Sequence, residues 1–300
     1  MSAEEKSEFR AGFPISGAQK PIRCLHYGLG GGGTISTAIT RGNAMHEQKW
    51  PDKIWVVRHG QSAGNVARHE AEAAKLPLID IATRDVDVPL SPLGEEQARA
   101  LGRWFGDMPE AQKPTVVLYS PYVRARRTAE LVLETAGIDP DEITFHVDER
   151  LREKEFGLLD RLTQTGIALK YPELHEQRNR VGKFYFRPPG GESWCDVILR
   201  LRSVLDTMTR GYRGENVLIV AHQVVVNCFR YLFERMDEES ILQADRMLDV
   251  PNCSVTSYVF DPNRGRKGKL VPELTHFVAP LELAGASITA EPDVPAAPKA

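Results

Sequence analysis

Three short stretches of the chain combine histidine, arginine and amide side chains in a way that suits a phosphoryl group. They are Arg58-His59-Gly60-Gln61-Ser62 with Asn65 close behind, His222-Gln223, and the run from Ser120 to Arg124-Ala125-Arg126-Arg127-Thr128. Arginine offers a rigid fork of donors that fits phosphate oxygens two at a time and keeps its charge. A neutral imidazole nitrogen can attack phosphorus and divide the transfer into two steps through a covalent phosphohistidine. The rest of phosphoryl transfer is positioning and neutralisation of charge. Arg58, Arg124 and a second histidine, His222, supply both without a metal. His59 is the better nucleophile, because Gly60 allows a tight turn and keeps bulk away from the ring. Asn65, Gln223 and a helix N-terminus complete a set of phosphate-binding candidates.

A departing alkoxide also needs a proton. Leu151-Arg152-Glu153-Lys154-Glu155-Phe156-Gly157 offers Glu153 and Glu155. An unperturbed glutamate titrates near ~4.3, so an acid working near neutrality must be raised, and a bound phosphate dianion pushes it that way. Taken singly, each residue has an ordinary structural reading. A histidine at a strand end is commonly a hydrogen-bonded structural group, and Arg126 and Arg127 read as a solvated helix face. Packing does not explain their conjunction at three strand ends.

Those ends belong to an alternating pattern. Residues 54–57 are a short apolar, β-branched run suited to a buried strand, and 115–119, 143–147 and 217–221 are similar. Residues 254–260 alternate enough for a late strand at a sheet edge. Helical signals lie between them. Ser91-Pro92 and Ser120-Pro121 each offer an N-cap followed by proline, and Gly137 is a left-handed C-cap. Apolar residues from Glu192 to about Arg210 recur at helical spacing, and another helix follows at 224–233. The alternation predicts an α/β fold, a three-layer sandwich with a mostly parallel central sheet and helices on both faces. In such sheets ligands bind at the carboxyl ends of the strands, where the histidines and arginines fall.

The chain has 300 residues, 42% hydrophobic and 26% charged, with a net charge of −3. A sizeable core is therefore available, and the balance gives no basic footprint for nucleic acid or an anionic membrane. No apolar run approaches the roughly 20 residues of a membrane span. The acidic opening (Glu4, Glu5, Glu8) does not read as a signal peptide. Cys24, Cys195, Cys228 and Cys253 are scattered with no CxxC pair, which fits reduced thiols in a cytoplasm. Residues 1–50, with glycines at 28 and 30–33, read as an irregular extension, 51–282 as the folded domain, and 283–300 as an Ala/Pro-rich tail. The expected partner is a small phosphorylated substrate, with no cofactor, and no pattern specifies an oligomeric state.

At these residues the chain resembles the histidine phosphatase superfamily, in its phosphoglycerate mutase-like branch (branch 1). The likeness runs over about 53–260. It rests on Val57-Arg58-His59-Gly60-Gln61-Ser62 with Asn65, Pro89-Leu90-Ser91-Pro92-Leu93-Gly94, Ser120 through Arg124 to Ala129, Leu151-Arg152-Glu153 with Phe156-Gly157, Gly190-Gly191-Glu192-Ser193, and Val220-Ala221-His222. The resemblance implies a metal-free enzyme in which His59 is phosphorylated. Arg58, Arg124, His222 and Asn65 would then hold the phosphoryl group, Glu153 would be the acid and later the base, and Glu155 a bystander. Mutases of this family read Glu-Arg-His-Tyr-Gly around the acid and Gly-Asn after the second histidine. Here stand Glu153-Lys154-Glu155-Phe156-Gly157 and Gln223-Val224, so a phosphatase is the better reading and a phosphoglycerate mutase the alternative.

His222-Gln223 with Cys228, Tyr231, Leu232 and Phe233, and Tyr185-Phe186-Arg187 before Gly191-Glu192-Ser193, are similar to fructose-2,6-bisphosphatases. No GxxxxGK[ST] loop of an accompanying kinase occurs in the chain. A binding protein for a phosphorylated ligand is the non-enzymatic alternative, disfavoured by the joint presence of His59, Arg124, Glu153 and His222. Residues 161–187 mix Lys170, Arg178, Arg180, Lys183 and Arg187 with Tyr171, Phe184, Tyr185 and Phe186. They read either as a lid over an anionic substrate or as a solvated connection.

Overall fold

The computed structural model describes residues 48–290. The glycines at 28 and 30–33, most of the expected extension over 1–50 and the last ten residues of the expected tail lie outside the described residues. Along the chain run β1 (Lys53–Arg58), α1 (Ala63–Ala73), α2 (Pro92–Gly106), β2 (Val116–Tyr119), α3 (Val123–Ala136), β3 (Thr144–Val147), α4 (Gln164–Lys170) and α5 (Pro172–Val181). Then come α6 (Trp194–Gly211), β4 (Asn216–Ala221), α7 (Gln223–Glu234), α8 (Glu238–Met247), β5 (Val255–Asp261), β6 (Lys269–Phe277) and α9 (Ala279–Ala284).

The strands form one six-stranded sheet in the order β3-β2-β4-β1-β5-β6. The first four are mutually parallel, while β5 joins β1, and β6 joins β5, in antiparallel fashion. β1 and β4 are central, and every residue after their first is buried. Strands covered on both faces need apolar side chains at successive positions. The two-residue period then sorts them. Ile54 and Val56 pack with Val217, Ile219 and the apolar stripes of α6 and α7, including Val197, Leu201 and Phe229. Trp55 and Val57 pack with Leu218, Val220 and the facing sides of α2 and α3, including Leu101, Phe105 and Val132. The result is the expected α/β arrangement, helices around a mostly parallel sheet.

Several local expectations change. Ser91 caps α2 through the Gly94 N–H with Pro92 in the first turn, and Gly137 ends α3 at φ 67°, as read from the sequence. Ser120-Pro121, however, does not open a helix. α3 begins at Val123 with Tyr122 in the cap position, because the Ser120 hydroxyl is taken by His222 and by the Tyr122 N–H. The strand at 254–260 is β5, and it lies one strand in from the edge. The edge is β6, which Pro272 and a mixed exposure pattern hide in the sequence, proline being tolerated at a sheet edge. The tail expected from 283 is packed at its start. Gln97 Nε2 donates to Ser287 O at 2.8 Å and to Thr289 Oγ1 at 3.0 Å, and the Asn252 N–H donates to Thr289 O at 2.8 Å. Among the described residues no helix is long and apolar enough to cross a membrane.

Candidate active site

The strand register brings the two histidines together. Arg58 pairs with Ala221 in the last rung between β1 and β4, so His59 and His222 stand side by side one residue beyond it, ring centroids 5.1 Å apart. Tyr119 pairs with Val220, so β2 delivers Ser120 to the same level, its hydroxyl 2.7 Å from His222 Nε2. The first turn of α3 supplies Arg124, whose Nε–H donates to His59 Nε2 at 3.2 Å. β3 leads through a 3-10 turn over Glu149–Leu151 to Glu153. Four parallel strands thus end at one rim. Arg58, His59 and His222 are 0% exposed, Glu153 1% and Arg124 2%.

His59 is held in one tautomer. Its Nδ1 lies 2.6 Å from Gly60 O. A carbonyl oxygen only accepts, so Nδ1 carries the proton and the lone pair is on Nε2, where it accepts the Arg124 Nε–H. The backbone behind the ring is pinned from the loop before β5. Asn252 Nδ2 donates to His59 O at 3.0 Å, and the Cys253 N–H reaches Arg58 O at 3.0 Å. Cys253 itself sits at φ 53°, a left-handed conformation that a non-glycine residue keeps only where its surroundings hold it. Gly60 also permits a close backbone approach. A Cβ there would lie 2.4 Å from Gly94 O, so the glycine lets the His59 loop rest on the first turn of α2.

Glu153 is fixed by a network that joins two motifs far apart in the chain. The Lys154 N–H donates to Glu153 Oε1 at 2.7 Å, and Arg200 from α6 donates to Glu153 O at 3.2 Å. Arg200 and Arg152 each reach Glu192 Oε1 at 3.0 Å. Against the cost of burial, these guanidiniums and the Glu155 N–H hold the Glu192 carboxyl below its usual range. A Cβ on Gly191 would lie 2.6 Å from Glu155 O, and one on Gly157 2.2 Å from Pro189 O. The segments around 153–157 and 190–193 are therefore one packed unit. Glu155 is exposed and accepts from Tyr122 Oη at 3.3 Å.

The remaining expected residues are close by, with different partners. Arg58 Nη1 donates to Val250 O at 2.6 Å. Asn65 Oδ1 accepts from the Ser62 N–H at 2.9 Å in the capping box of α1. Gln223 opens α7 and donates through Nε2 to Asp249 at 3.1 Å. Arg126 and Arg127 pair with Glu130 on an exposed helix face.

Sequence reasoning missed Asp85, whose Oδ1 lies 3.1 Å from Arg124 Nη1, and Tyr122, whose ring stands 5.0 Å from His222 and under the Arg124 guanidinium. A lone aspartate at the start of a short 3-10 turn carries no signal that would have singled it out. In the 161–187 segment, Phe184 and Phe186 are core residues, Lys183 pairs with Asp245, and Arg187 with Asp196. Burial lowers Arg178 to about 10 and Lys154, beside Glu153, to about 8. Among the described residues no three His, Cys, Asp or Glu side chains cluster as metal ligands.

Comparison with known proteins shows what the chain is similar to. A sequence profile of the histidine phosphatase superfamily (branch 1) matches residues 54–271. A 6-phosphofructo-2-kinase/fructose-2,6-bisphosphatase of Caenorhabditis elegans is 31% identical over 189 residues, 62% of this chain and 35% of that protein. The chain thus spans about a third of that relative. A 2,3-bisphosphoglycerate-dependent phosphoglycerate mutase of Gloeobacter violaceus is 32% identical over 194 residues, 64% of this chain and 78% of its own. Among solved structures, a mycobacterial glucosyl-3-phosphoglycerate phosphatase bound to inorganic phosphate shares the fold with TM-score 0.56 and 22% identity, covering 76% of this chain and 99% of that one.

Proposed function

Because the chain belongs to the histidine phosphatase superfamily (branch 1), we propose that it hydrolyses a phosphate monoester through a covalent phosphohistidine on His59. The observation that carries this reading is the tautomer: Nδ1–H is spent on Gly60 O, so the Nε2 lone pair is the one that can attack. In the first step Nε2 bonds to phosphorus, the ester P–O bond breaks, and Glu153 gives a proton to the leaving oxygen. In the second step water attacks phosphorus, its proton passes to the Glu153 carboxylate, the P–N bond breaks, and phosphate departs. Arg58, Arg124, His222 and the Asn65 NH2 hold the phosphoryl oxygens. Arg124 exchanges the Asp85 carboxylate for the substrate, and Gln223 contributes its backbone N–H at the start of α7. No step requires a metal.

Hydrolysis rather than return of the phosphoryl group to a sugar acid is supported by Phe156 and Gln223, which depart from the mutase pattern. Lys154, Arg178 and Lys183 gather beside Glu153 against Asp245, which favours a substrate with a second anionic group, a bisphosphate such as fructose 2,6-bisphosphate among them. The free thiols Cys195, Cys228 and Cys253 fit a cytoplasmic enzyme. Phosphate release from sugar phosphates, phosphoglycerates, phosphoamino acids and an aryl phosphate, measured in excess chelator, tests the reading. Turnover should persist in chelator. Loss that a divalent metal restores contradicts the scheme, and isomerised product without free phosphate means a mutase.

A further inference from the structure

At the other end of the sheet, away from His59, lies a cavity of about 540 Å³ lined by Trp50, Leu205, Leu232, Phe233, Leu270 and the backbone of Gly268 on its apolar side. Its remaining lining is Arg202, Arg235, Arg266, Lys267 and Lys269, with no carboxylate among the described residues. Among the described residues none of these cations has an ion-pair partner. The volume is that of a small-molecule site, which typically spans about 300–1,000 Å³. Concentrated uncompensated charge in a concave surface attracts anions.

Two further observations point to a ligand. Arg235 ends α7 at φ 56°, the left-handed position that helices normally give to glycine. Arg235 lines the cavity from this position, where a non-glycine residue carries backbone strain. Trp50 and Phe233 meet edge to face with centroids 6.2 Å apart, so the floor presents aromatic surface beside the cations. The cavity is remote from the phosphoryl rim. α7 starts after His222 and ends here, and its 12 residues span about 18 Å at 1.5 Å each.

We propose that this cavity is a second anion site that takes a nucleoside polyphosphate, its phosphates on Arg235, Arg266, Lys267 and Lys269 and its base against Trp50 and Phe233. A single phosphate would leave most of the charge uncompensated, and a purely inorganic anion would leave the aromatic floor bare. The site stands apart from the hydrolytic chemistry proposed above and survives if that reading fails.

Calorimetric titration of the full chain with the β,γ-imido analogue of ATP, with inorganic tripolyphosphate and with adenosine tests it. The analogue should bind with a micromolar Kd, tripolyphosphate about tenfold more weakly, and adenosine not measurably. Arg235→Gly, which suits the left-handed backbone, and Lys267→Glu/Lys269→Glu should each weaken the analogue at least tenfold while leaving aryl phosphate hydrolysis unchanged. Arg124→Ala should leave analogue binding unchanged. Absence of binding overturns the proposal, as does binding that Arg124→Ala abolishes and the cavity variants spare. Equal affinity for tripolyphosphate overturns the nucleoside part.

Discussion

The two halves of the sheet do different work. In the parallel half, β3, β2, β4 and β1 all end at one rim, and each delivers a candidate group: Glu153, Ser120 with Arg124, His222 and His59. The antiparallel half, β5 and β6, delivers none. The chain entering β5 instead grips the backbone behind the histidine, through Asn252 to His59 O and Cys253 to Arg58 O. The difference teaches where chemistry can arise on a sheet. Parallel strands converge their carboxyl ends, so groups from distant parts of the chain meet without long loops. A reversed strand presents its start at that rim, and what it offers there is backbone support. In this account one half reacts and the other half aims.

Three changes break or sharpen that contrast. Glu153→Gln, in the reacting half, should lower kcat by about 10²–10⁴-fold for alkyl phosphates, the range of general acid catalysis, and far less for an aryl phosphate that leaves unaided. Equal losses on both would assign Glu153 some other task. Asn252→Ala, in the aiming half, should cost about 10- to 100-fold in kcat, because a small misplacement of the attacking atom is expensive. KM for the aryl phosphate should barely move, whereas a rise in KM with kcat preserved would mean that Asn252 serves binding instead.

The smallest effect concerns Lys154 beside the acid. Burial lowers it to about 8, so it is charged below that pH and neutral above. An anionic substituent on the substrate favours the charged form, so binding takes up a proton above pH 8. KM for a bisphosphate should rise as pH climbs past 8, by at most about tenfold per unit. KM for an aryl phosphate should stay level, and Lys154→Met should flatten the difference. An identical pH dependence for both substrates would place Lys154 outside the substrate's reach.

The same contrast governs how far the sequence could be read. The parallel strands are buried on both faces, so 54–57 and 217–221 are uninterrupted apolar runs, and the residues that follow them stand out by type. Serine and glycine punctuation located the start of α2 at Ser91 and the end of α3 at Gly137 for the same local reasons. The antiparallel half lacks that signal. β6 carries Pro272 and polar residues suited to an edge, and it passed unseen. Ser120-Pro121 misled because a serine beside a proline satisfies a cap pattern, while its hydroxyl is claimed by His222 from another strand. Asn252 and Asp85 act through partners far away in the chain, Asn252 on His59 and Asp85 on Arg124, and no local pattern encodes such a meeting.

The central claim is a phosphoryl group carried on His59 Nε2. Rapid acid-free quench of enzyme mixed with 32P-labelled substrate in excess chelator, followed by peptide mapping, tests it most directly. The account predicts up to one label per chain, acid-labile and alkali-stable, on the peptide that contains His59, and none in His59→Ala. Phosphate released at full rate by His59→Ala, or label found on another residue, would contradict it.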